Sequence, residues 1–157
     1  MRTCVALVDA TRARLFIYQP AHRGEREEFS ERADLVNPAR RSRPSELFSD
    51  SRPGSSRSGR LQFAFDDHRA KHLDAFDAEF ARQIGHSLGE LMRATDAKRL
   101  VLFASPHMLG ALRGELRALP DGVAIQDSPR DLVKLSPTAL RERLAHEGTL
   151  PPREREY

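Results

Sequence analysis

"RLVLFAS", residues 99–105, is the stretch on which the fold turns. Its residues are apolar almost without interruption, the pattern of a short strand buried on both faces, as in the parallel part of an α/β sheet. The run ends in Ser105-Pro106, and a capping residue followed by proline marks the first turn of a helix. Met108, Leu109, Leu112 and Leu116 then recur at helical spacing until Pro120 and Gly122 stop the pattern. "VAIQ" (123–126) reads as a further short strand, and Ser136-Pro137 repeats the start signal ahead of a helix carrying Leu140 and Leu144. Strands alternating with helices in this way describe a parallel crossover half-sheet.

Upstream the pattern changes. "TCVALVDA" (3–10) and "ARLFIYQ" (13–19) are two apolar runs separated by the polar pair Thr11-Arg12, which predicts a hairpin. After Pro20 and Gly24, residues Phe29 to Val36 form a more polar strand suited to a sheet edge. From 37 to 65 periodicity is lost, and Pro38, Pro44, Pro53, Gly54 and Gly59 predict one long loop. Asp66 or Asp67 can cap the helix that follows, in which Leu73, Phe76, Phe80, Ile84, Leu88 and Leu91 share a buried face. Asp74, Glu79, Arg82 and Glu90 then fall on its outer side. The expected fold is therefore one α/β domain over 1–150. Its mixed sheet has about five strands, antiparallel in the first half and parallel in the second, with helices on its faces. A frayed tail follows at 151–157.

The totals agree with a single core: 157 residues, 39% hydrophobic and 31% charged, with a mean hydropathy of −0.59. The net charge of +3 and isoelectric point near 9.5 are too modest to indicate nucleic acid by themselves. Cys4 is the only cysteine, which excludes an intramolecular disulfide and fits a reducing compartment. Asp9 and Arg12 interrupt the first apolar run before a signal-peptide core forms, and no segment has the length of a membrane span. A cytoplasmic location is expected.

Candidate chemistry is sparse. His68 and His72 stand four apart, yet "HRAKH" lacks the glutamate of a zinc-peptidase motif, and no metal site or cofactor is assigned. His107, at the carboxyl end of a strand, and Asp9, at the end of the first strand, mark a candidate pocket, because open α/β sheets bind ligands at such ends. Ser55, Ser56 and Ser58 have no nucleophile elbow around them, and "PGSSRSGR" lacks the Gly-Lys-Ser/Thr of a phosphate loop. The arginines of the 37–65 loop are its main feature. Arg40, Arg41, Arg43, Arg52, Arg57 and Arg60, with Gly54, Ser55 and Gly59 between them, could fork onto a phosphate backbone approached closely by the main chain.

Taken together, "VALVDATRARLF" (5–16), "NPARRSRPSELFSDSRPGSSRSG" (37–59), "FDAEFARQIGHSL" (76–88), "RLVLFASPHMLGALRGEL" (99–116) and "DLVKLSPTALRERL" (131–144) resemble the bacterial host attachment protein family. That family is similar in turn to the middle domain of archaeal and eukaryotic class-1 peptide-chain release factors. The resemblance implies a ribonuclease H-like sheet in which a long loop precedes a long helix. Release factors carry Gly-Gly-Gln on that loop. Here Gly54 and Gly59 are separated and Gln62 follows Leu61, so peptidyl-tRNA hydrolysis does not carry over. The expectation is a non-enzymatic, release-factor-like domain that docks on RNA or the ribosome through its basic loop. Two alternatives stand beside it: an interaction protein acting in attachment through a protein or glycan partner, and a phosphoester hydrolase using Asp9 and nearby histidines.

Overall fold

The computed structural model describes the backbone of residues 1–41 and 59–154 and the side chains of residues 1–39 and 74–154. Strand β1 (Thr3–Val8) turns into β2 (Arg12–Gln19), which pairs with β3 (Glu28–Val36). A short helix α1 (Pro38–Arg41) follows, then the long helix α2 (Gly59–Thr95), strand β4 (Arg99–Ala104), helix α3 (Pro106–Arg113), a 3-10 turn (Glu115–Ala118), strand β5 (Ala124–Ser128) and helix α4 (Pro137–His146). The sheet order is β3-β2-β1-β4-β5. β1–β2 and β2–β3 are antiparallel, whereas β1–β4 and β4–β5 are parallel, so the mixed five-stranded sheet expected from the sequence is present.

The uninterrupted apolar runs follow from burial on two sides. Side chains alternate across a strand. Cys4, Ala6, Val8, Leu100, Leu102 and Ala104 therefore face α2 and α3, meeting Phe80, Ile84, Leu88, Met108 and Leu112. Val5, Leu7, Val101 and Phe103 face the other way, onto Leu132, Leu140, Leu144 and Leu150. The edge strand β3 presents charge instead: Glu28 pairs with Arg32, and across the β2–β3 ladder Glu31 and Asp34 pair with Arg14 and Arg12. Such charges blunt an exposed edge.

Three local expectations are corrected. Within 37–65, the backbone is helical at Pro38–Arg41 and again from Gly59, so the long helix begins seven residues before the expected Asp66 cap. Between Gly59 and Gly85 no glycine or proline intervenes, and extending a helix through such residues costs little once it is nucleated. Ser105 precedes α3 without capping it through its side chain, whereas Ser136 does cap α4, accepting from the Ala139 N–H at 3.1 Å. The buried face of α2 is rotated by one position: Asp77 and Ala81 lie inward with Phe80, Ile84, Leu88 and Met92, while Phe76 is exposed.

Helix α2 packs closely on the 3-10 turn at Gly85, where an added Cβ would stand 2.9 Å from the Glu115 Cβ. Gly85→Ala is expected to lower stability, since overpacking of about 1–3 kcal/mol exceeds what alanine returns in helix propensity. Gly110→Ala, with nothing within 4 Å, should instead gain up to about 1 kcal/mol. Thermal unfolding of the two variants, with midpoints moving in opposite directions, checks both.

On the second face, Arg130 holds Glu147 in a forked pair at 2.5 and 2.7 Å, which keeps the Glu147 carboxyl below the usual carboxylate range. A depressed folded value means that the stabilisation is complete above the unfolded carboxyl range and is lost as pH falls through the folded one. The pair is largely solvated, so its worth stays below about 1 kcal/mol. Glu147→Gln is expected to lower neutral stability by less than about 1 kcal/mol and to flatten the loss of stability through the acid range, leaving stability at the acid end unchanged. Denaturant midpoints measured across acid pH test this.

Candidate functional site

The strand order reverses direction at β1. The chain moves from β1 outward to β2 and β3, then returns to lay β4 on the opposite side. In open α/β sheets ligands bind beyond the carboxyl ends of the strands at such a switch point. Val8 and Ala104 are the paired last residues of β1 and β4, and the Ser105 N–H donates to the Val8 carbonyl at 3.1 Å, carrying the β1–β4 ladder one step past that pair.

Three side chains converge there. His107, in the first turn of α3, directs Nε2 to Asp77 Oδ2 at 3.0 Å and lies 3.8 Å from Asp74 Oδ1. Asp74 and Asp77 are one turn apart on α2 and so share a face. The three ligand atoms lie within 4.8 Å of one another. Asp77 is buried (1% exposed) while His107 and Asp74 open to solvent, so the set has a fixed inner wall and an accessible outer one.

Asn37 organises the inner wall. It is itself buried, and its Nδ2 donates to Asp77 Oδ1 at 2.8 Å and to the Ala10 carbonyl at 2.9 Å. Its Oδ1 accepts from the Ala39 N–H. One amide thus joins the β1–β2 turn, α1 and α2, and it occupies the Asp77 oxygen that does not face His107.

Asp9 has a different task. Its Oδ1 accepts from the N–H groups of Thr11 and Arg12, both at 2.8 Å, which folds the β1–β2 turn and stops short of the chelating set. Arg12 beside it forks onto Asp34 at 2.8 and 2.6 Å, and this hydrogen bonding holds the Asp34 carboxyl below its ordinary value. Cys4 is sealed in the core, where burial pushes its thiol up to about 12 and removes it as a nucleophile.

Of the residues singled out in the basic segment, Arg40 and Arg41 lie on the backbone of α1, and Gly59 and Arg60 begin α2. Those side chains, with His68 and His72, lie outside the described ones, and Arg43, Arg52, Gly54, Ser55 and Arg57 lie outside the described residues. Of the expected pocket pair, His107 is in the cluster and Asp9 shapes its border. Asp74 and Asp77 escape a sequence reading that takes Phe76 as inward. The available signal was an aspartate three residues before Phe80, on the apolar stripe itself.

The donor set fits a divalent ion. Metal bonds of about 2.0–2.2 Å to carboxylate oxygen and imidazole nitrogen place neighbouring ligand atoms roughly 3–4 Å apart, and the separations at His107 are of that size. One imidazole with two carboxylates suits zinc or manganese, and three protein ligands leave positions open for water and substrate. This cluster corrects the expectation of a non-enzymatic RNA- or ribosome-docking domain: among the described residues, chemistry-bearing side chains converge on a compact chelating set. No helix among the described residues is long and apolar enough to cross a membrane.

No curated protein shows significant similarity to this chain. The type II variant of the Ppx/GppA phosphatase of Aquifex aeolicus is similar over 82% of this chain and 35% of its own length, at 16% identity and a TM-score of 0.41. RuvC of Thermus thermophilus is similar over 99% of this chain and 84% of its own, at 12% identity and a TM-score of 0.37. Likeness at these scores carries no inference about chemistry, and neither structure is a release factor. Residues 4–144, from the first residues of β1 to Leu144 in α4, match the model described as protein required for attachment to host cells, and the chain belongs to that family.

Proposed function

We propose that this chain is a metal-dependent phosphoester hydrolase centred on Asp74, Asp77 and His107. The observation that carries the reading is the buried Asp77 carboxylate, fixed by Asn37 through one oxygen and turned to His107 with the other at a topological switch point. A divalent ion bound there would supply a Lewis acid and a water acidified for attack.

The chain's own groups provide the rest. Asp77 and Asp74 offer negative charge to balance the cation, and His107 offers a neutral nitrogen lone pair. The first N–H groups of α3 have no intrahelical acceptors, and the Ser105 hydroxyl does not cap them. They are therefore open to the oxygens of a phosphoryl group beside His107, favoured also by the helix dipole. Asn37 keeps Asp77 from rotating away.

The hydrolase alternative thus stands with a changed cast: His107 remains, Asp9 becomes a turn residue, and two aspartates of α2 take its place. A single antiparallel strand, β2, within an otherwise parallel sheet supports the ribonuclease H-like shape as part of this reading. On this reading the family's role in attachment follows from the product of a hydrolysis rather than from adhesive contact. A cytoplasmic site of action is supported by the lone, buried cysteine.

The experiment is hydrolysis of p-nitrophenyl phosphate and bis(p-nitrophenyl) phosphate by chelator-treated protein resupplied with magnesium, manganese or zinc. Turnover restored by one of these ions, and lost in His107→Ala with the circular dichroism spectrum intact, is the expected result. Turnover that ignores the ion, or survives His107→Ala, overturns the reading.

A further inference from the structure

At the opposite end of the sheet, a cleft of about 850 Å³ lies between the β2–β3 connection and residues 151–154. Behind its wall sits Arg141 of α4, 0% exposed. The Arg141 Nε and Nη2 fork onto Glu27 at 2.8 and 3.1 Å, Nη2 also donates to the Pro151 carbonyl at 2.7 Å, and the guanidinium lies 5.1 Å over the Tyr18 ring. Glu27, Pro151 and Tyr18 all line the cleft. The remaining nitrogen, Nη1, is buried and has no hydrogen-bond partner among the described residues. A buried donor left unmade is costly, more so on a charged group.

The charge count around it is unbalanced in the same sense. Glu27 serves two guanidiniums, since Arg153 also stands 3.9 Å from its Oε1. Arg23 is held with φ at 47° beside Gly24, at the tip of the turn closed by the His22–Glu25 bridge, which projects a cation at the rim. Half-exposed Arg153 stands on the other side.

We infer that this cleft binds a small ligand through an oxyanion, phosphoryl or carboxyl, received by Arg153 and Arg23 at the rim and drawing on the spare donors of Arg141 behind. The ligand supplies the second negative group that the shared Glu27 does not, and residues 151–154 yield to let it reach Nη1. The site is independent of the Asp77 centre and of the hydrolase reading.

Nuclear magnetic resonance titration of the full chain tests it. Inorganic phosphate and citrate are added in turn at constant ionic strength, with sodium chloride as control. Saturable shifts at the Gly24 and Glu27 amides and at the Arg141 Nε–H are expected, with the stronger of the two anions identifying the ligand as phosphoryl or carboxyl. Arg153→Ala and Arg23→Ala, both at the surface and foldable, should each weaken the apparent affinity roughly tenfold. Shifts confined to Ser105 and His107, equal shifts with chloride, or affinities unchanged in both variants overturn the proposal.

Discussion

Asp77→Asn is expected to abolish divalent-ion binding while leaving the fold in place. Asparagine has the shape of aspartate, and its carbonyl can still accept from Asn37, so the junction between α2 and the β1–β2 turn survives. What is lost is the inner negative charge, and with it the ligand atom that the structure holds most firmly, 1% exposed and 3.0 Å from His107. Removing an outer partner of a metal ligand typically costs about 10–100-fold in affinity, and removing the ligand itself should cost more. Asn37→Ala supplies the comparison. It should weaken binding by that roughly 10–100-fold factor and also cost about 1–3 kcal/mol of stability, because the Ala39 N–H and Ala10 carbonyl lose a buried partner. Calorimetric titration with manganese or zinc, beside thermal unfolding of both variants, separates ligand from support. Wild-type affinity in Asp77→Asn would remove the centre from consideration.

Arg14→Ala should be among the most destabilising single changes that touch no apolar core residue. Arg14 is buried (5% exposed) and forks onto Glu31 at 2.7 and 3.2 Å. Its Nη1 also donates to the carbonyls of Val133 and Leu135 at 2.9 and 2.5 Å, which clamps the segment ahead of α4 onto β2. Breaking a fully buried ion pair costs about 3–5 kcal/mol. Glu31 retains some contact with water, so the lower end, about 3 kcal/mol, is expected, a fall of about 6–12 °C in the unfolding midpoint for a chain of this size. A double-mutant cycle with Glu31→Ala resolves the parts. If the two changes add without coupling, the carbonyl clamp carries the stability and the ion pair does not.

Most of the scaffold was legible in the chain. "RLVLFAS" and "TCVALV" lie on the two central strands, and strands covered on both faces are apolar almost without interruption, so burial is written into them directly. β3 was legible for the opposite reason, since its alternating charges suit only an edge. The site was half legible. His107 follows a strand that the sequence already places at a carboxyl end. Asp74 and Asp77 depend on the rotation of α2, and stripes through Phe76 or Asp77 differ by a single residue; only packing against α3 decides between them. Asn37 was hidden altogether, because its partners, Ala10 and Asp77, lie 27 and 40 residues away in the chain. The Ser105 cap failed because that hydroxyl is not turned onto its own helix.

The sheet order also sets a timetable. β1 can pair with β2 across a turn of three residues, Asp9 to Thr11, whereas its pairing with β4 joins Thr3 to Arg99. Closing so long a span costs chain entropy before any contact rewards it, so the hairpin is expected to form early and the parallel seam late. The carboxyl ends of β1 and β4, beside which Asp77 and His107 meet, come together only with that pairing. On the hydrolase reading, competence to hold an ion is therefore expected to arrive late in folding, and a refolding chain followed by metal binding would report its completion rather than its beginning.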